Sequence, residues 1–329
     1  MNTFGQFFRV SIFGESHGAL VGVLVDGCPA GMALAAADFT NDLQRRQSGA
    51  KGTTARREAD IPDIVSGVYN GYTTGAPIAI LFANGDARPA DYERFRHTPR
   101  PGHADFTASQ KWSRFNDLRG SGHFSGRLTV ALVAAGVIAK KLIAPVAVAA
   151  ELTEAGGCAH IAAAVEKAVA ANDSIGGVVT CSAKNIPAGW GSPFFNSVES
   201  LLSHLIFSIP GIKAVEFGAG FEAARMCGSE HNDAFISAGG ATRTNHAGGV
   251  NGGITNGNEL RFRVAVKPTA SIARQQTTLN MQTGQPEAFS VHGRHDACIA
   301  LRVPVIVEAA TAIVLADLAQ ARKNDTIEN

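Results

Sequence analysis

The chain has 329 residues, of which 45% are apolar and only 17% charged. That length suffices for one large core or two smaller ones, and the apolar content excludes disorder for most of the chain. A formal net charge of +1 excludes a uniformly basic nucleic-acid binder, and a charge content below the soluble average of about 25% points to a large interior or extensive subunit contacts.

No run of 18 uninterrupted apolar residues occurs, and the N-terminus lacks a basic segment leading into an apolar stretch and a small-residue cleavage site. Neither a membrane span nor a secretory signal is expected. The five cysteines (Cys28, Cys158, Cys181, Cys227 and Cys298) are scattered and form no CxxC pair. A disulfide framework and a structural zinc site are therefore poor readings, and a cytoplasmic protein with reduced thiols is expected.

In chain order, Phe8, Val10 and Ile12 alternate as a strand that stops at Gly14, and Leu20–Val25 reads as a second strand closed by a Gly/Pro turn. "AADFTNDLQRRQ" predicts a helix with Arg45 and Arg46 near its end, followed by a polar, basic loop over 48–60. "APIAILFAN" predicts a buried strand. Residues 127–143 are too long and Ala-rich for a strand and predict a buried helix. Val198, Leu201, Leu202, Leu205 and Ile206 recur at helical spacing until Pro210 breaks the pattern. "LRFRVAVKP" alternates as a strand, and "VPVIVEAATAIVLADLAQARK" predicts a long apolar helix. No composition shift marks an internal boundary, so residues 1–323 are expected to form a single α+β domain with a polar tail at 324–329.

Chemistry concentrates in six places. "FGESHG" sets Ser16 and His17 between glycines just after a strand; alone it reads most simply as a turn, and it is not the Gly-x-Ser-x-Gly of a nucleophile elbow. Residues 45–127 hold 13 of the 29 Lys and Arg against 8 acidic residues, which suits a small polyanion better than a long one. "RPGHAD" adds Arg100 and His103. "RGSGHFSGRLT" offers glycines immediately before a helix, where anions bind, yet is neither a Walker loop nor a dinucleotide fingerprint. "NHAGGVNGG" and "KPTAS" are glycine and hydroxyl loops. "GRHDAC" carries Arg294, His295 and Asp296 without metal-ligand spacing, so no metal is expected.

Taken in order, the blocks "GQFFRVSIFGESHG", "DLQRRQ", "TTGAPI", "RPGHAD", "GHFSGRLT", "SIPGIKAVEFGAGF", "TNHAGGVNGG", "KPTAS" and "GRHDACIALRVPVIVEA" closely resemble the chorismate synthase family over nearly the whole chain. The resemblance implies a lyase of the shikimate pathway. It would eliminate phosphate from 5-enolpyruvylshikimate 3-phosphate in an anti-1,4 sense and require reduced FMN (FMNH2). It further implies a β-α-β sandwich, with helices between antiparallel sheets, assembled as a homotetramer. The source of reduced flavin is left open between NADPH and an external flavin reductase.

By resemblance, His17 is the general acid for the departing phosphate, His103 protonates or stabilises reduced flavin, and Asp296 accepts the substrate proton relayed through flavin N5. Ser16, Arg46, Lys51, Arg100, Ser125, Arg127 and Arg294 fall on substrate contacts. Arg46, Lys51, His123, Phe124, Ser125, Pro210, Gly211, Gly252, Lys267, Pro268, Thr269, Ala270, Ser271 and Arg294 fall on the flavin set.

The chain also departs from the family. His123 stands where relatives usually carry arginine, Leu128 where they carry glutamate, and Lys51 where arginine is usual. The His123 exchange implies flavin affinity that weakens as pH rises. The stretch 145–175 is shorter than in many relatives and is expected to be a trimmed peripheral element. The alternative to the lyase is a flavin- or anion-binding homologue without turnover.

Overall fold

A computed structural model describes residues 2–86, 89–291 and 295–325. The N-terminal half runs through β1 (Thr3–Phe4), β2 (Arg9–Gly14), β3 (Leu20–Asp26), α1 (Thr40–Arg46), β4 (Asp63–Ser66), β5 (Val68–Tyr69), β6 (Tyr72–Thr73), β7 (Ile78–Ala83), α2 (Asp105–Lys111) and α3 (Thr129–Leu142). Then come β8 (Ala147–Ala155), α4 (Ile161–Ala170), β9 (Gly177–Lys184), α5 (Val198–Ser208), β10 (Ile212–Phe217) and α6 (Gly228–His231). The chain closes with β11 (Val250–Asn251), β12 (Ile254–Thr255), β13 (Leu260–Val266), β14 (Gln276–Leu279), β15 (Pro286–Phe289) and α7 (Pro304–Asp325).

Two antiparallel sheets form the outer layers. The first has the order β1-β2-β3-β7-β4 and the second β10-β13-β9-β8, while β5–β6, β11–β12 and β14–β15 pair as separate ribbons. Each main sheet has one wet face. In β7, Ile78, Ile80 and Phe82 are buried while their neighbours are not, and in β13 Leu260, Phe262, Val264 and Val266 alternate with the less buried Arg261, Arg263 and Ala265. Period-two burial of this kind is what a sheet packed on one side requires.

The helices fill the space between. α3 packs on β2, β3 and β7, α7 on β8 and β9, and the two helices pack on each other. Residues 129–139 of α3 are all buried, so it is apolar all round and shows no amphipathic period. α7 is long and apolar enough by length and composition to cross a bilayer, yet 78% of that span is buried inside the protein, as expected of a core helix. The fold is thus α+β, a β-α-β sandwich, and side chains from both sheets and both helices share one core. α7 continues through Asp325, two residues into the segment read as a polar tail. Residues 145–175, read as peripheral, contain β8, the edge strand of the second sheet, and α4. Leu128, one of the family departures, is buried in this core.

Two polar ties lock the layers. Asp317 of α7 accepts from the backbone N–H groups of Gln6, Phe7 and Phe8, pinning the loop between β1 and β2. Glu308 of α7 accepts from both terminal nitrogens of Arg45 on α1, from Lys140 on α3 and from the Ala150 N–H of β8.

α3 and α7 touch most closely where a Cβ on Gly136 would lie 2.3 Å from Ala309 Cβ and 2.5 Å from its Cα. Alanine is the better helix former by about 1 kcal/mol, but here the overpacking cost of about 1–3 kcal/mol should win. Gly136→Ala is therefore expected to lower the melting temperature, and a higher one would contradict this crossing.

Candidate active site

A cavity of about 460 Å³ opens where six segments converge: the end of α1 with the following strap, residues 100–104, the glycine turn before α3, the end of α5, the loop after β13 and the approach to α7. That volume suits a small-molecule site. Its cationic lining is Arg46, Arg56, Arg100, Arg127, Lys267 and Arg302, against the carboxylates Glu58, Asp60 and Asp296. Apolar surface comes from Phe124, Ile209, Pro210, Pro268, Ala270, Ile299, Val303 and Ile306. The arrangement suits a flat ligand with phosphate and carboxylate groups.

Asp60 organises the cationic end. One carboxylate oxygen accepts from Arg46 Nη2 at 2.5 Å and the other from Arg127 Nη1, and none of the three side chains is more than 3% exposed. Burial lowers the Arg46 pKa to about 10, with Asp60 opposing the shift, so Arg46 stays protonated at neutral pH. Asp60 has φ +51°, a left-handed conformation that aspartate tolerates better than most residues. Arg127 is held from two further sides: its Nε donates to Asn84 Oδ1 (2.9 Å) and its Nη2 to Ala83 O (3.1 Å), which leaves one N–H on each terminal nitrogen for an anion. It sits just ahead of α3, where Ser125 Oγ accepts from its backbone N–H.

A second clasp holds Arg100. Its Nε and Nη2 donate to Asp105 at 2.7 Å each, its Nη1 to Ser271 Oγ at 3.2 Å, and its guanidinium lies 4.5 Å from the Phe95 ring centroid. Asp105 Oδ1 lies 2.8 Å from His103 Nδ1. Proton donation from Nδ1 to that carboxylate leaves Nε2 as the free nitrogen of the ring. Burial, aided by Arg100, lowers the His103 pKa despite Asp105, and Asp105 itself is held well below the usual carboxylate range by Arg100 and His103. Beside them, burial lowers His295 to about 4. Asp296 Oδ1 accepts from the Thr54 N–H at 3.0 Å and lies 3.5 Å from Arg302 Nη1.

His17 is buried one layer behind this wall. A Cβ on Gly120 would fall 1.6 Å from His17 Nδ1, so only glycine lets the imidazole lie there, and Tyr92 meets its ring edge-on at 5.2 Å. His17 Nδ1 is buried without a hydrogen-bond partner. Burial, followed by Arg56, lowers its pKa. Ser16 accepts from Arg56 through its Oγ (2.6 Å) and its carbonyl (2.9 Å), and Arg56 is itself held by Glu58.

Of the sequence-nominated residues, the cavity gathers Arg46, Arg100, His103, Phe124, Ser125, Arg127, Pro210, Gly211, Lys267, Pro268, Thr269, Ala270, Ser271 and Asp296. Five lie outside its lining: Ser16 and His17, buried behind the wall, and Lys51, Gly252 and His123. Lys51 is exposed and pairs with Glu166 at 2.7 Å. Gly252 lies in the β11–β12 turn, with open space around it. His123 faces the neighbouring groove lined by Phe4, Ile12 and His204, and its ring nitrogens lie 3.0 Å from Gly14 O and 3.1 Å from Asn2 Oδ1. The expected pH effect of His123 on anion binding in the cavity loses its geometric basis, because the ring is turned away. Arg294 lies outside the described residues. The sequence reading did not nominate Asp60, Asp105, Asn84 or Arg302. The first two are the carboxylates that hold the arginines; Asp105 closes the "RPGHAD" block, while the only sequence signal for Asp60 is an acidic residue close to a basic cluster.

Asp60→Asn preserves the left-handed backbone but removes the charge between two buried guanidiniums, and should destabilise the fold by about 3–5 kcal/mol. An anion in the cavity would restore part of that charge balance. Added phosphate is therefore expected to raise the melting temperature of the variant more than that of the native protein; equal shifts would contradict an anion site at this pair.

Comparison with known proteins identifies the family. A family model described as "Chorismate synthase" matches residues 8–319. A chorismate synthase from Chitinophaga pinensis is 60% identical over 332 residues, covering all of both chains. One from Dehalococcoides mccartyi is 44% identical over 97% of this chain and 96% of its own. A solved chorismate synthase structure superposes with a TM-score of 0.74 at 25% identity, covering 98% of each chain. The chain belongs to the chorismate synthase family, and it is accordingly a lyase.

Proposed function

We propose that the chain converts 5-enolpyruvylshikimate 3-phosphate to chorismate by anti-1,4-elimination of phosphate, with reduced FMN as a required cofactor, on the shikimate route to the aromatic amino acids. The observation that carries the reading is one cavity with six cations against three carboxylates beside an apolar wall. A substrate with two carboxylates and a phosphate needs the first, and a flavin ring needs the second. The residues fit reduced FMN: Phe124, Pro268 and Ala270 offer surface for a ring, and the arginines and Lys267 offer charge for its phosphate.

Reduced FMN, when bound, supplies an electron-rich ring that lowers the barrier to phosphate departure. The protein does the rest. Arg46 and Arg127, fixed by Asp60, hold the leaving phosphate as the C3–O bond breaks. His17 is the proton donor to that phosphate in this reading, which requires the Gly120 turn that covers its ring to move aside when substrate binds. Its lowered pKa in the free protein is answered by the dianion, whose charge opposes that of Arg56. Asp296, held by the Thr54 N–H, receives the proton lost from C6 as the new double bond forms. His103 keeps a proton on Nδ1 toward Asp105 and presents Nε2 to the cavity.

The same reading carries a homotetramer, and Phe115, Phe194 and Phe195, each at least 84% exposed, are apolar surface such an assembly could cover. Reduced flavin would be supplied by NADPH or by an external reductase.

The test is anaerobic release of phosphate and chorismate with chemically reduced FMN. Equal yields of both are expected; folded protein that binds FMN and releases neither would overturn the reading in favour of a binding-only homologue. Because the acid must be protonated, kcat/KM should fall as pH rises through a pKa below 6.5. His17→Ala should lower kcat by about 10²–10⁴ and remove that limb. A limb that survives in His17→Ala would assign the acid elsewhere.

A further inference from the structure

One side chain outside every nominated motif joins the two halves of this machinery. Asn84 follows β7, and its backbone N–H extends the ladder to Ala19 O at 3.1 Å, at the sheet end where the His17 turn lies. Its amide Nδ2 donates to Glu15 O at 3.0 Å and Gly18 O at 2.9 Å, the two carbonyls that bracket Ser16 and His17. Its Oδ1 accepts from Arg127 Nε at 2.9 Å. These partners fix the amide orientation, since carbonyls can only accept and a guanidinium can only donate. A short side chain with two hydrogens on one nitrogen and an acceptor beside it is asparagine and no other residue.

We propose that Asn84 is a positioning residue that ties the turn carrying His17 to the Arg127 anion site, so that proton donor and phosphate clamp keep a fixed relation. The turn has few other ties. Ser16 N–H reaches Gly122 O at 3.1 Å, Gly18 N–H closes on Glu15 O at 3.1 Å, and Arg56 grips Ser16. None of these reaches Arg127. The claim rests on the proposed roles of His17 and Arg127, and it adds that Asn84 acts on turnover through His17 and on binding through Arg127.

A double-mutant cycle tests it. Asn84→Ala should lower kcat by about 10²-fold in the native background, the scale expected for misplacing a catalytic group. In the His17→Ala background it should lower kcat by less than about threefold, because the group it positions is gone. KM should rise by the same factor in both backgrounds, since the Arg127 tie is independent of His17. Equal kcat losses in both backgrounds would overturn the proposal.

A second readout needs neither cofactor nor turnover. The charged groups around His17 are Arg56, Arg119, Asp117 and Glu58, and all of them remain in Asn84→Ala. Loosening the turn should hydrate the imidazole and move its titration, followed by NMR in the ligand-free protein, upward toward 6.5. An unchanged titration would also overturn the proposal, and it would do so whether or not the native protein eliminates phosphate. If Asn84→Ala fails to fold, Asn84→Asp still accepts from Arg127 but cannot donate to the turn, and the same kcat comparison decides.

Discussion

The Asp60 carboxylate divides its two oxygens between Arg46 and Arg127, and with none of the three side chains more than 3% exposed, water can do little of that work. Two guanidiniums in so dry a place repel one another, and each has lost much of its hydration. A carboxylate between them makes the arrangement tolerable and fixes it in direction. What remains is an anion site with a net positive face, assembled before any ligand arrives. Preorganised charge of this kind stabilises a leaving phosphate without further rearrangement.

The fold serves that constraint. Arg46 comes from the end of α1, Arg127 from the turn into α3 and Asp60 from the strap before β4. Their meeting depends on α3 lying between the sheets and on α1 being tied down by the Arg45–Glu308 pair. Arg100 repeats the device with Asp105, whose second task is to orient His103. The buried arginines are thus held by carboxylates, Asp60 shared between Arg46 and Arg127 and Asp105 serving Arg100. This explains how a cavity rich in arginine sits in a protein of formal charge +1.

The sequence made much of the scaffold legible. β2 and β13 show alternation, β3 and β7 are short apolar runs ended by turns, and α3 and α7 are too long and too uniformly apolar to be strands. It was silent on β8, β9 and β10. β8 is an Ala-rich edge strand, β9 follows paired glycines, and β10 begins directly after the Pro210–Gly211 break. The site was legible as a set of residue types and less so as directions. Arg45 and Arg46 are neighbours about 100° apart on a helix, one turned to Glu308 and the other to the cavity, and the sequence gives no sign of which. Lys51 reads as an anion ligand until its partner Glu166, 115 residues away, is known. Asp60 and Asn84 carry no motif because their work is to hold other side chains.

The most direct measurement is calorimetric titration of inorganic phosphate into the cofactor-free protein, comparing Arg46→Lys with Arg45→Lys. Lysine keeps the charge but not the fork that meets Asp60 and an anion together. If the buried pair builds the anion site, Arg46→Lys weakens phosphate binding by about tenfold or more, and Arg45→Lys by less than about twofold. Equal weakening, or phosphate binding that survives in Arg46→Lys, would contradict the account.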